Sequence, residues 1–281
     1  MVNVPFEQIR ENLSKIVPEE LITKIPDKWE KIGDVGILKL PSVLENYYEI
    51  IGKNFADVLD CKTILNDVGG IIGPFREPKT KIIFGAENTE TIHKENSILF
   101  KLDPQKIMFS SGNMDERIRI AEISNESETV VDLFAGIGYF SLPIAVFSRP
   151  KKIFSCEINP NSYSYLCENI VLNKVTDIVE PIKGDCREIA PKIIADRVLF
   201  GYIGGTKKYL STAFECLKNG FGTIHFHDKY SESKIPKKPL KEVEVVAKKY
   251  NLSMELIKYR KVKSYAPGVS HFVFDIKIGK L

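Results

Sequence analysis

The chain has 281 residues, 43% of them hydrophobic, and a net charge of +3, which is enough apolar material for one large domain and a smaller one. No apolar run approaches the length of a membrane span, and the opening MVNVPFEQIRENLSK is polar where a signal peptide is greasy, so a soluble cytoplasmic protein without a membrane partner is expected. Five cysteines, odd in number, widely spaced and without a CxxC pair, argue against a disulfide framework or a zinc cluster and for reduced thiols.

In chain order, Glu7 to Pro26 carries Ile9, Leu13 and Ile16, then Leu21 and Ile22, at helical spacing around an interrupting proline; a small helical entry region is predicted. GDVGILKLP reads as a short strand ending at Pro41, and SVLENYYEIIGKNFADVLD as a helix. From Thr63 to Phe109 the β-prone runs TILNDV, KIIFG, TIHKEN and SILFKLD are separated by Gly, Asn and Pro. A small α/β domain over residues 1–125 is therefore expected ahead of a larger one at 126–281.

Beyond Glu128, apolar and amphipathic runs alternate as a doubly wound α/β sheet requires. Strands are predicted at VVDLF, KKIFSCE, DIVEPIKG, ADRVLFG and GTIHFH, and helices near Tyr139–Phe147, Ser162–Asn173, Lys207–Leu217 and Leu240–Tyr250. Leu252–Lys263 and His271–Ile278 have no helix between them, which predicts an antiparallel hairpin at the sheet edge. SESKIPKKP reads as a flexible loop.

The most informative ten residues are Val130 to Tyr139, VVDLFAGIGY. A strand ends in Asp132, Gly136 and Gly138 permit a tight turn close to a ligand, and a helix follows. The next two strands end in CEINP and are followed by GDCRE, so Glu157 falls where such folds place an acid for ribose hydroxyls and Asp185 where one accepts from an adenine amino group. Each acid alone is a common cap or surface residue; three on successive strand ends beside a glycine turn indicate a nucleoside ligand. GIGY lacks the third glycine of GxGxxG, which disfavours nicotinamide cofactors, and S-adenosylmethionine (SAM) is the leading reading.

DLFAGIGYFSLPIA, CEINPNSYSYLCENIVLNKV, IKGDCRE and ADRVLFGYI, with GDVGILKLP and MFSSGNMDERIRIAE upstream and GTIHFH and KSYAPGVSHFVFDI downstream, cover nearly the whole chain. In this order they resemble the archaeal and eukaryotic enzymes that modify the purine 3′ of the tRNA anticodon. The resemblance implies a class I SAM-dependent Rossmann-like doubly wound sheet with the edge hairpin, preceded by the smaller α/β domain, whose contacts are to tRNA and cofactor. It implies two branches: one methylates N1 of guanosine 37, and the other moves a 3-amino-3-carboxypropyl group from SAM onto a 4-demethylwyosine-type base of tRNA-Phe in wybutosine synthesis.

The segment after the fourth strand separates the branches. Methylation of a ring nitrogen calls for Asn or Asp followed by prolines, and the N1 branch carries Asn-Leu-Pro; here Gly201, Tyr202 and Ile203 stand instead, as in the aminocarboxypropyl branch. Ser110 and Arg117 of MFSSGNMDERIR correspond to cofactor contacts, and a hydroxyl and a guanidinium suit the methionine carboxylate. The implied cofactor set is Ser110, Arg117, Asp132, Phe134, Gly136, Glu157, Asp185, Cys186 through its backbone N–H, and Gly201.

No catalytic residue is identified. Glu116 stands as a proton acceptor, a tRNA-positioning group, or a surface helix carboxylate paired with Arg119 or Arg117. His225 and His227 share a strand face without an evident third ligand; no metal is expected, and both read as structural or near the substrate cleft. From Lys229 to Lys263 there are eleven Lys or Arg against four Glu, so a polyanionic partner or merely a solvated face is implied. Within it, Lys258, Arg260, Lys261, Lys263 and Tyr265 supply the cation and aromatic pattern that an anticodon loop needs, although an edge strand gives the same pattern without RNA. Arg76, Lys79 and Lys81 extend the reading to the small domain. The expected protein is a monomeric aminocarboxypropyltransferase; the alternatives are a guanosine-37 N1 methyltransferase and a non-catalytic SAM-fold RNA-binding module.

Overall fold

The structure, a computed structural model, describes residues 4–73 and 75–280. The chain forms two compact units, Met1–Ser111 and Gly112–Leu281. Among the described residues no helix is long and apolar enough to cross a membrane.

The first unit begins with α1 (Val4–Leu13) and α2 (Glu19–Ile22), then β1 (Glu30–Ile32), β2 (Val35–Leu38), α3 (Tyr48–Leu59), β3 (Thr63–Ile72), β4 (Glu77–Gly85), β5 (Thr91–Glu95) and β6 (Ile98–Leu102). The helical spacing puts Ile9 and Leu13 of α1 in one core with Ile51 and Phe55 of α3 and with Leu38 and Ile64 of the sheet. Strands run in the order β1-β2-β3-β4, with β2 and β3 parallel and the other pairs antiparallel; β5 and β6 form a separate hairpin.

The second unit contains α4 (Met114–Ala121), β7 (Thr129–Asp132), α5 (Ser141–Phe147), β8 (Lys152–Glu157), α6 (Pro160–Leu172), β9 (Val179–Lys183), α7 (Cys186–Ile189), β10 (Arg197–Phe200), α8 (Leu210–Cys216), β11 (Gly222–Ser231), α9 (Lys237–Lys249), β12 (Leu252–Ala266) and β13 (Val269–Lys280). Its sheet has the order β12-β13-β11-β10-β7-β8-β9. The five strands from β7 to β11 are parallel, and β13 and then β12 add antiparallel at one edge. Chain order reverses between β7 and β10, and at such a switch point the carboxyl ends of parallel strands leave a crevice for a ligand.

Strand alternation divides the sheet into two unlike faces. Val131, Val198, Phe200, Ile224, Phe226, Phe272, Phe274 and Ile276 enter one apolar core with Leu210, Phe214, Val243 and Ala247 of α8 and α9. The intervening residues Asp132, Arg197, His225, His227, His271 and Asp275 are buried and polar.

SESKIPKKP is more ordered than a flexible loop. Glu232–Lys234 forms a 3-10 turn, and α9 starts at Lys237 rather than Leu240, with Pro239 buried inside its first turn. A proline is tolerated there because the first helical N–H groups have no intrahelical acceptor to lose.

Candidate functional site

The loop after β7 is held by its own acids. Gly136 and Gly138 lie at φ +59° and +100°, and a Cβ on Gly136 would stand 2.5 Å from the Tyr139 ring. Asp132 accepts from the Phe134 N–H at 3.2 Å and from Ser141 Oγ at 2.8 Å, and Ser155 Oγ donates to Ser141 Oγ at 2.8 Å. Asp132 has no exposed surface. Burial pushes its carboxyl up to about 6 against those hydrogen bonds. It therefore fixes the loop from beneath rather than facing open space.

Glu157, half-buried at the end of β8, clamps the loop from the side. Its Oε2 accepts from Gly136 N–H at 2.7 Å and its Oε1 from Asn159 N–H at 2.7 Å. Burial raises its carboxyl, against these two bonds. Asn159 then caps α6 through the Asn161 N–H, with Pro160 at the first helical position. Asp185 caps α7 in the same way through the Arg187 N–H, and the Arg187 side chain holds its carboxyl below the usual carboxylate range. Cys186 is buried, which pushes its thiol up to about 12 and leaves it inert as a nucleophile.

The crevice wall is aromatic. The Phe134 ring stacks on Tyr202 at 5.3 Å and meets the edge of Tyr209 at 4.8 Å. A Cβ on Gly201 would lie 3.1 Å from the Phe140 ring and 3.4 Å from the Phe134 carbonyl oxygen. The segment beyond turns on Gly204 and Gly205 at φ +105° and +85°. Asp228, on β11 just beyond its pairing with β10, accepts from the Gly204 and Thr206 N–H groups at 2.8 and 3.0 Å. Sequence reasoning passed over Asp228; an acid directly after the predicted strand GTIHFH was the available signal.

The polar face carries a second constellation. Arg119 of α4 donates to both oxygens of Glu116, at 3.0 and 2.7 Å, and to both oxygens of Asp275, at 2.7 and 3.2 Å. Asp275 meets His225 Nδ1 at 2.6 Å, and His225 Nε2 lies 2.6 Å from Arg197 Nη1. An arginine only donates, so His225 accepts at Nε2 and carries its proton at Nδ1. Burial keeps His225 neutral; it also opposes the charge on Asp275, but His225 and Arg119 together outweigh it and hold that carboxyl low. Arg197 in turn pairs with Glu128 at 2.8 Å.

Glu116 is not a surface carboxylate: it has no exposed area. Burial raises its proton affinity against the pull of Arg119, and His227 Nε2 and Arg260 Nε stand 3.7 and 3.6 Å from it. His227 Nδ1 meets His271 Nε2 at 3.0 Å, so His271 is the neighbour that sequence spacing did not reveal. Among the described residues no group of three His, Cys, Asp or Glu is arranged to hold a metal.

The RNA candidates on β12 do not form one row. Pairing with β13 sets Lys258, Arg260 and Lys263 opposite Asp275, Val273 and His271, whereas Lys261 pairs with Phe272 on the apolar side. A register shift between Lys261 and Lys263 restores Lys263 to the face of Arg260. Lys261 is paired with Glu232 at 2.7 Å, and Tyr265 is exposed with Lys229 over its ring at 4.6 Å. Arg117 is buried on α4. Ser110 stands in the first unit, as do Arg76, which precedes β4, and Lys79 and Lys81, which lie on it.

The pattern of the TRM5/TYW2 methyltransferase domain matches residues 91–256, and that of the TYW2 N-terminal domain matches residues 9–89. The chain belongs to the TRM5/TYW2 family. It is 46% identical over 254 residues to a tRNA(Phe) (4-demethylwyosine(37)-C(7)) aminocarboxypropyltransferase of Methanocaldococcus jannaschii, covering 90% of this chain and 99% of that protein. It is 35% identical over 263 residues to the tRNA (guanine(37)-N(1))-methyltransferase Trm5b of Pyrococcus abyssi, covering 93% and 78%. Pyrococcus horikoshii TYW2 in complex with MeSAdo matches the fold with a TM-score of 0.88 at 39% identity, over 98% of this chain and all of that one. The complex of aTrm5 and tRNALeu matches with a TM-score of 0.82 at 30% identity, over 96% and 78%. The family has both branches, and the site must say which one this chain follows.

Proposed function

We infer that the chain transfers the 3-amino-3-carboxypropyl group of SAM to C7 of 4-demethylwyosine at position 37 of tRNA-Phe, releasing methylthioadenosine, a step of wybutosine synthesis. The observation that carries this reading is the segment after β10, taken with the full-length likeness to the M. jannaschii aminocarboxypropyltransferase. Gly201, Tyr202 and Ile203 present no amide, acid or proline there. The Tyr202 ring is instead spent on the stack with Phe134. The segment therefore offers no amide or carboxylate to orient a ring nitrogen, whereas a carbon nucleophile has no lone pair to align and needs its π face turned to the alkyl carbon.

The residues present fit a nucleoside sulfonium. The positive-φ glycines leave a cradle that a Cβ would fill, and Phe134 offers an apolar face. Glu157 and Asp185 flank the loop with carboxylate lone pairs that suit ribose hydroxyls and an adenine amino group. When bound, SAM would supply an alkyl chain on a sulfonium, whose carbon–sulfur bond breaks to a neutral thioether as the bond to C7 forms, the C7 proton then leaving to solvent. The chain's own task is to point that alkyl carbon at the base.

For the methionine carboxylate we assign Ser110 and Arg117, for the adenosine Phe134, Gly136, Glu157, Asp185, the Cys186 N–H and Gly201, and for the loop geometry Asp132. For the anticodon loop we assign Lys258, Arg260, Lys261, Lys263 and Tyr265. We further propose that the smaller N-terminal domain joins in tRNA and cofactor contacts, and that the enzyme acts as a monomer in the cytoplasm.

The test is to treat tRNA-Phe bearing 4-demethylwyosine with the chain and SAM, and to read both products by mass spectrometry. Methylthioadenosine with an aminocarboxypropyl gain on the base is expected. S-adenosylhomocysteine with a one-methyl gain would instead establish the guanosine-37 N1 methyltransferase, and tRNA affinity without SAM affinity would leave only an RNA-binding module.

A further inference from the structure

The second unit holds a lysine-lined groove that the cofactor crevice and the β12 cations do not account for. Its volume is about 850 Å³, and its walls include Lys207 and Lys208 ahead of α8, Lys234 in the turn after β11, and Lys237, Lys238 and Lys241 of α9. All six lysines are exposed. The lining includes one acid, Glu242, which is already engaged by the Tyr230 hydroxyl at 2.6 Å and faces Lys207 at 4.0 Å. Lys234 and Lys237 have no acidic partner among the described residues. Leu210, Val245 and Val246 add apolar surface to the lining, the kind of surface that suits lysine stems with their ammonium groups in water.

Six cations converging on one groove repel one another, and surface lysines gain little from staying together unless an anion sits between them. The groove also adjoins the cofactor crevice. Lys207 and Lys208 follow Thr206, whose N–H is fixed by Asp228, and precede Tyr209, whose ring meets Phe134. An extended anion lying in the groove would thus pass beside the segment that faces the reacting base.

We propose that this groove binds the phosphodiester backbone of the RNA substrate, as an anchoring site additional to the one on β12. The proposal rests on the tRNA-modifying function inferred above. The lysines bind as point charges without reading bases, so the site contributes affinity and register but no sequence preference. It lies on the α9 side of the sheet, whereas Lys258, Arg260 and Lys263 belong to the opposite, polar face; the RNA would be held on both sides of the edge hairpin.

The test compares the wild-type chain with the triple variant Lys234→Gln, Lys237→Gln, Lys241→Gln and with a control, Lys249→Gln and Lys277→Gln, which removes charge outside the groove. Binding of tRNA-Phe is titrated across a salt series, together with SAM affinity, thermal stability, and the KM for tRNA and kcat of transfer. The expected result is a roughly tenfold weaker tRNA affinity and a log–log salt slope shallower by about two, because each phosphate contact contributes about 0.7–0.9 to that slope. KM for tRNA should rise in step, with kcat, SAM affinity and melting temperature unchanged, and the control should match the wild type. A triple variant with wild-type affinity and slope overturns the proposal; if it still releases methylthioadenosine, the functional reading stands. A wild-type chain that binds no tRNA overturns both.

Discussion

The two faces of the large sheet are made by the same strands and solve opposite problems. On one, Phe200, Phe226, Phe274 and Ile276 close against α8 and α9 in an apolar core. On the other, Arg197, His225, Asp275, Arg119 and Glu116 neutralise one another in an enclosed chain of charge-assisted bonds. The apolar face is insensitive to pH and tolerant of small volume changes. The polar face must keep every member paired, because a buried charge that loses its partner retains its desolvation cost. The sheet is thus a rigid partition that sets the cofactor loop at its switch point and carries cations outward from both sides.

The sharpest way to break this contrast is Arg119→Met, which leaves Glu116 and Asp275 buried without their guanidinium. A loss of about 3–5 kcal/mol is expected in urea denaturation, and a loss below about 1 kcal/mol would show that the network does not hold the fold. Next is Glu157→Ala, which frees the Gly136 and Asn159 N–H groups at the switch point. Calorimetry should show SAM binding weakened by about 1–3 kcal/mol, and unchanged affinity would remove Glu157 from the site.

Glu116→Gln tests what the enclosed carboxyl does. It keeps an acceptor for Arg119 while removing the charge near Arg260. If Glu116 positions those arginines, KM for tRNA rises a few-fold and kcat holds; a fall in kcat on the order of a hundredfold at constant KM would instead make it the proton acceptor.

The faces should also differ in acid. Burial, with Lys263 adding to it, lowers the His271 ring from its ordinary 6.5 to about 4. The unfolded chain therefore takes up a proton that the folded chain refuses. Stability is full above pH 6.5 and falls by about 1.4 kcal/mol per unit toward pH 4 from this group alone. Asp132, raised from 3.8 to about 6, acts in the opposite sense: its contribution is fully present below pH 3.8 and is lost as pH rises through 6. His271→Gln removes the first effect, so its stability measured between pH 6.5 and 4 should fall less steeply than that of the wild type; equal slopes would place the titration on another group. The smallest expected effect is Ile276→Val on the apolar face, about 0.5–1.5 kcal/mol at every pH in the same range. Any pH dependence of that cost would deny that the faces are independent.

Much of this molecule is legible in its sequence because the signals are local. The strand, glycine turn and helix at Val130 to Phe147, the acids at successive strand ends and the closing hairpin all follow from local sequence patterns. Gly201, Tyr202 and Ile203 likewise mark the branch of the family, because a missing amide is visible without coordinates. Tertiary structure alone decided the rest. Arg119 meets Asp275 across 156 residues and His225 meets it across 50; no local periodicity encodes such pairs. It enclosed Glu116, turned Asp132 inward to hold the loop, and used a register shift in β12 to bring Lys263 onto the face of Arg260. It also gathered Lys207 and Lys208 with the lysines of α9 into one groove. The physical reason is range: backbone conformation and capping depend on neighbours in sequence, whereas charge pairing and burial depend on which strands become neighbours in space.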